Sequence, residues 1–304
     1  MLTEKMPSSR EDLHVVCLES DRLRVILLPE IGCKIASIIY KANQFEALAR
    51  PLGHETATEQ AKLYARAYPG APFDQFDLSG IDDCIPTIDA CRVEKLGRFA
   101  DHGDAWSRPW NVFEEDRSVC SVKAFFRLSS IPLYFERHVR LEGSTLFLSY
   151  RLLNESIDER PWLWALHGLC HYEPDAILSW PEPYTLFNAH GEEPFSFDPR
   201  KLSEVPQQEA YKFYLTDPVP TGKASIFYPS QHMRTTLQWD AEQFPYLGGW
   251  INTGGSPGSR CIALEPTNGF YDRLDRAIAN DKVGRIAPGA EIFWQVQITI
   301  EEVQ

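Results

Sequence analysis

The feature that most constrains this chain is a two-residue rhythm of apolar side chains. In "LYFERHVRLEGSTLFLSYRLLNES" (Leu133 to Ser156), Leu133, Phe135, Arg137, Val139 and Leu141 share one face, and Leu146, Leu148 and Tyr150 share another. Successive side chains of a strand point to opposite sides, so this alternation marks half-buried antiparallel strands. Glu142–Gly143–Ser144 between them reads as a hairpin connection. Short runs such as "LRVILLP", "KIASIIY", "RTTLQWD", "YLGGWIN", "RCIALEP" and "AEIFWQVQITIEEV" repeat the theme, and most of the 22 prolines fall between runs. Helical patterns are confined to His54–Ala67 and Tyr271–Asp281, and the βαβα alternation of a doubly wound sheet is absent. The expectation is a mainly β chain folded as one large antiparallel β-sandwich over residues 1–304, with a few short helices and a loose segment at 1–12. Strand content should exceed the ordinary value of about 20–25%.

Composition narrows the partners. The 304 residues carry a formal net charge of −13, which argues against nucleic acid, whose phosphates need a basic surface. It also argues against anionic membranes, and no run approaches the length of a membrane-spanning helix. The first 16 residues lack the apolar core of a signal peptide. Seven cysteines without a CxxC pair fit reduced thiols, and the expected location is the cytoplasm. No segment specifies an oligomeric state.

Several motifs have structural readings beside chemical ones. "TGGSPGS" (Thr253 to Ser259) is glycine-rich but lacks the Gly-Lys-Ser/Thr ending of a phosphate loop, and it joins two strands. "FDQFDLSGIDDCIP" carries Asp74, Asp77, Asp82 and Asp83, without calcium-loop spacing, and reads as a polar loop near a ligand. Trp106, Trp110, Trp162, Trp164, Trp239 and Trp250 suit a large core, although one or two at a cleft could stack on a sugar. His102 lies in "DHGD" between Asp101 and Asp104, a setting that favours a charged, hydrogen-bonding imidazole. His167 ends the run Trp162–Leu166, as Glu265 ends the run Cys261–Leu264. A strand-end His and a strand-end Glu form a candidate acid–base pair. HExxH is absent, which disfavours zinc hydrolysis, and Gly254–Gly258, which matches GxSxG in letters, joins two strands and does not form the strand-to-helix elbow of an acyl-transfer nucleophile.

These residues also carry a family resemblance. "FPYLGGWINTGGSPGSRCIALEPTNGFYDRLDRAI" followed by "GRIAPGAEIFWQVQITI" resembles the aldose 1-epimerase, or galactose mutarotase-like, family. "GIDDCIPTI" resembles that family's "GFDECFPTI", "DHGDAWSRPW" its "HGFxRxxPW", and "WALHGL" its strand ending in His. The resemblance spans about Leu23 to Ile300 and implies a large antiparallel supersandwich. It implies that Glu265 is a general base, His167 a general acid and His102 a substrate-binding residue. Asp240 in "LQWDAEQFP" would bind sugar hydroxyls, and Asp83, Arg108 and Trp106 join the expected substrate-binding set. The family's Phe and Arg in "HGFxR" are replaced here by Asp104 and Trp106.

The implied reaction interconverts the α and β anomers of an aldose, with a small-molecule carbohydrate as partner and no metal or cofactor. A non-catalytic carbohydrate-binding protein, or a lyase or isomerase acting on another sugar with the same pair, stands as the alternative. The site segments hold many acids and few bases, with Arg98, Arg108 and Arg260 the exceptions. An uncharged sugar is therefore expected over a sugar phosphate.

Overall fold

The structure is a computed structural model that describes residues 13–50, 67–76, 78–189, 191 and 194–303, together with the backbone of Lys5–Met6. Most of the expected helix at His54–Ala67 lies outside the described residues, as do Asp77 and nearly all of the expected loose segment at 1–12. The backbone of Lys5–Met6 pairs with Leu13–His14.

Strand outweighs helix by 47% to 7%, as the alternation predicts. The described strands build two large antiparallel sheets packed as a β-sandwich. One has eight strands, with the long Leu133–Glu142, Thr145–Asn154 and Glu291–Glu302 strands side by side near its centre. The other has ten, and its middle runs through Ala210–Leu215, Tyr246–Asn252, Cys261–Thr267, Ala165–Leu169 and Gly80–Cys84. The second helical expectation narrows to a six-residue helix at Leu274–Ala279, which buries Leu274 and Ala277.

The eight-stranded sheet follows the sequence rhythm. Leu146, Leu148, Tyr150 and Leu152 of one strand and Trp294, Val296, Ile298 and Ile300 of its neighbour are buried toward the facing sheet. The space between the sheets holds an aromatic cluster in which Trp294 packs on Tyr150, Trp162, Trp164 and Phe244, with ring centroids 5.0 to 5.5 Å apart. Such pairs contribute about 0.5–1.5 kcal/mol each beyond area burial.

Arg137 occupies a core-facing position of the same rhythm and is fully buried. Its guanidinium crosses between the sheets, donating to Asp83 at 2.7 Å and to the Cys33 carbonyl, with Trp110 beneath it at 5.0 Å. Trp164 Nε1 donates to the other Asp83 oxygen at 2.9 Å. Asp83 therefore belongs to the interior and does not contact a ligand cleft. Its neighbour Asp82 points to the opposite face of the strand and meets the buried Lys34. "IDD" is thus a strand, not a polar loop, because each carboxylate has a cation waiting on its own side.

Candidate active site

The ten-stranded sheet is buried on both faces at its centre. Every residue of Cys261–Thr267 is buried. Alternation sends Ile262, Leu264 and Pro266 one way and Cys261, Ala263, Glu265 and Thr267 the other. Loops cover the second face and leave a solvent-open cleft over it.

Register places the two central residues. Ala165 pairs with Thr267, and Cys170 bridges to Ile262. The same antiparallel register sets His167 opposite Glu265. His167 Nε2 stands 3.7 Å from Glu265 Oε1. Both residues are interior positions of their strands, Ala165–Leu169 and Cys261–Thr267, and not strand ends as the apolar runs suggested. The strand continues past Glu265 because Asn268 anchors its far end. The Asn268 Oδ1 accepts from Trp164 N at 2.7 Å, and the Asn268 Nδ2 donates to the Trp162 carbonyl.

Glu265 is 1% exposed. Its Oε2 accepts from Lys212 Nζ, and its Oε1 accepts no hydrogen bond among the described residues. Lys212 comes from the Ala210–Leu215 strand and also lies 3.7 Å from Asp272 Oδ1. Burial alone would lower the Lys212 ammonium, but Glu265 and Asp272 reverse this and hold it well above the ordinary lysine range. The pair needs room: a Cβ on Gly248, directly across the ladder, would come within 3.2 Å of Glu265 Oε2 and 3.0 Å of the Tyr214 ring.

His167 is 8% exposed, and its Nδ1 has no hydrogen-bond partner among the described residues. Burial, followed by the charges of His102, Lys212 and Lys34, holds its imidazole well below the ordinary histidine range. The resting residue is neutral at neutral pH. The notion of a His poised to donate is corrected to this extent: the protonated form is scarce, and for that reason strongly acidic.

His102 reaches the same cleft from the loop after Gly97–Phe99. Its backbone is left-handed, with φ of +56°, a conformation that is strained for a non-glycine residue and recurs at functional sites. Its Nδ1 lies 2.9 Å from Asp101 Oδ1, while Asp101 Oδ2 accepts the Phe73 amide at 2.9 Å. Burial acts to raise the Asp101 carboxyl, but the hydrogen bonds from His102 and Phe73 outweigh it and hold it low. Phe73 stacks on His102 at 3.9 Å, and the two imidazoles meet edge to face at 4.9 Å. Asp104, the other acid flanking His102 in sequence, turns away to accept hydrogen bonds from Ser129 and Ser130.

Three further sequence expectations fall outside the cleft lining. Trp106 is buried behind Phe73, its indole N–H on the Asp101 carbonyl, so it supports the wall without facing a ligand. Arg108 lies past that turn, where its carbonyl accepts the Gly32 amide. Asp240 is exposed and caps its own turn, accepting the Glu242 amide at 2.9 Å. Trp106 and Asp240 are fixed to their own loops by local hydrogen bonds, whereas Arg108 is tied through its carbonyl to Gly32 of a distant loop.

The cleft also recruits residues that motif reading passed over. Lys212 sits at a cleft-facing position of "AYKFYL", and a lysine inside an apolar strand was the available signal. Asp272 lies in the turn after Cys261–Thr267; its carboxylate accepts from Tyr214 OH, and its carbonyl accepts the Ile88 and Asp89 amides. Trp250 lines the cleft and is half-buried, whereas Trp106, Trp110, Trp162, Trp164 and Trp239 belong to the interior. Among the described lining residues, five are carboxylic acids (Asp74, Asp89, Asp101, Glu265 and Asp272), and Lys212 is the single lysine or arginine. Desolvation and the charge of Asp272 push the Asp89 carboxyl up.

No family model matches the sequence, and no curated protein matches it. Solved structures do match in fold. The Slr1438 protein from Synechocystis sp. PCC 6803 superposes with a TM-score of 0.74 at 15% identity, covering 98% of this chain and 99% of that one. A galactose mutarotase-like protein from Clostridium acetobutylicum gives 0.69 at 14% identity, with 96% of both chains covered. A galactose mutarotase related enzyme from Lactobacillus acidophilus gives 0.66 at 12%, covering 95% of this chain and 99% of that one. At these identities the likeness is one of fold, and the fold is that of galactose mutarotase-like proteins.

Proposed function

We propose that the protein is an aldose 1-epimerase-like mutarotase, interconverting the α and β anomers of an uncharged aldose by general acid–base catalysis. The observation that carries this reading is the opposition of Glu265 Oε1 and His167 Nε2 at 3.7 Å. Each residue is buried in the cleft and keeps a polar atom without a hydrogen bond among the described residues. Buried polar atoms are rarely left so, and an exception asks for a functional account.

In the proposed reaction Glu265 removes the proton from the anomeric hydroxyl while protonated His167 delivers one to the ring oxygen. The C1–O5 bond breaks and the aldehyde forms. Rotation about C1–C2 presents the other carbonyl face, the ring recloses, and the two residues return the protons by reversed roles. General acid–base assistance of this kind supplies about 10²–10⁴-fold. His102, held by Asp101 and Phe73, binds a hydroxyl, and Trp250 offers an aromatic face to the sugar's C–H groups. The excess of carboxylates over cations in the described lining supports an uncharged substrate, since a phosphate would want converging arginines.

The test is anomer exchange by NMR or polarimetry across a panel of aldoses and glucose 6-phosphate. Accelerated exchange of a free aldose supports the reading. Faster exchange of glucose 6-phosphate than of any free hexose overturns the uncharged substrate, and sugar binding without exchange replaces the enzyme with a carbohydrate-binding protein.

A further inference from the structure

The proposed base does not stand alone. Lys212 and Tyr214 reach its face of the sheet from the Ala210–Leu215 strand, and His167 from Ala165–Leu169. Asp272 approaches from the loop beyond Cys261–Thr267, and Cys84 and Asp82 come from Gly80–Cys84. His102 and Lys34 act on the far side, through His167. Of these groups, Lys212 is the cation in contact with the carboxylate. It bonds Oε2 alone, so the two oxygens of Glu265 are unequal: one is tied to the ammonium and the other is turned toward His167. Asp272 and Tyr214 hold the ammonium in turn, through the 3.7 Å contact and the Tyr214–Asp272 hydrogen bond. A buried carboxylate without a cation takes up a proton to escape its desolvation.

Resting on the anomer-exchange reading, we propose that Lys212 is a positioning residue that keeps Glu265 ionised and rotated, so that Oε1 alone is offered to the substrate. Its chemistry is expressed through the carboxylate and not through contact with the sugar. Removing the ammonium should therefore move the pH at which the base becomes competent, beyond any loss of stability.

The experiment compares wild type with Lys212→Met, Lys212→Gln and Lys212→Arg. The Gln variant keeps a donor near Oε2 and guards against failure of the Met variant to fold. Two readouts are taken: the acid limb of kcat/KM for anomer exchange, and the carboxyl ¹³C resonance of Glu265, identified by its disappearance in Glu265→Gln. In the Met and Gln variants both should move to higher pH by at least about one unit, a tenfold change in proton affinity, and Lys212→Arg should restore them toward wild type. An unmoved carboxyl titration overturns the proposal, whatever happens to the rate. A raised KM with kcat and pH profile intact would instead make Lys212 a substrate ligand. Because the resonance titrates without turnover, the role of Lys212 stands or falls even if wild type exchanges no aldose, an outcome that would count against the anomer reading alone.

Discussion

Glu265 and His167 face each other at 3.7 Å from neighbouring strands, and their partners differ in kind. Glu265 is bonded to a lysine that stays charged, whereas burial first, and then the charges of His102, Lys212 and Lys34, hold the His167 imidazole well below the ordinary histidine range. The two side chains thus stand in unlike settings, a carboxylate tied to an ammonium and a desolvated imidazole, as an acid–base pair requires.

The neutral state of His167 gives stability a pH dependence. Its folded value lies below its ordinary 6.5. Above about pH 6.5 the residue is neutral folded or unfolded and contributes no slope. Below it the unfolded chain takes up a proton that the folded chain refuses, so stability falls with pH, by at most about 1.4 kcal/mol per unit from this residue. His167→Asn should lose less stability than wild type between pH 6.5 and 5 in urea titrations. Parallel losses would contradict the assignment.

The Arg137–Asp83 pair should matter for folding and not for the substrate. Arg137→Met leaves Asp83 buried without its cation and should cost about 3–5 kcal/mol, read as a lower urea midpoint. Asp83→Asn should also destabilise, with KM in the folded protein within about twofold of wild type, as bulk core effects leave the cleft intact. A large rise in KM at unchanged stability would return Asp83 to the substrate site.

His102 is expected to bind and not to transfer protons, since Asp101 and the Phe73 ring fix it against the cleft wall. His102→Asn should raise KM more than it lowers kcat, with about 1–3 kcal/mol of binding lost for an unmade hydrogen bond in a buried setting. Steady-state exchange kinetics check this. A fall confined to kcat would move His102 into the proton-transfer pair.

The sandwich was legible because the alternation is nearly unbroken: the positions that place Leu146, Leu148 and Tyr150 on one face are the buried ones, and even Arg137 sits where the rhythm puts it. Glu265 and His167, which the structure brings together in the cleft, were singled out by motifs whose order matched a known pattern. Asp83, Arg108, Trp106 and Asp240 were not, because sequence neighbourhood says nothing about which sheet face or turn captures a side chain. Asp83 was claimed by an arginine 54 residues away, and Asp240 by its own turn. Lys212 was missed for the complementary reason: its role depends on a carboxylate 53 residues further along the chain, a distance at which no spacing rule operates.

The central claim rests on Glu265 and His167 acting in one step, and anomer exchange in the paired variants tests it most directly. With wild type exchanging its best aldose, Glu265→Gln and His167→Asn should each slow exchange by at least about 10²-fold, measured on the folded fraction with sugar binding retained, since Glu265→Gln also breaks the buried pair with Lys212. The double variant should be little slower than either, because residues that work as a unit are non-additive. Wild-type kcat/KM should fall as pH rises through the depressed His167 value, placing the alkaline limb below pH 6.5. Exchange by Glu265→Gln at the wild-type rate would contradict the account.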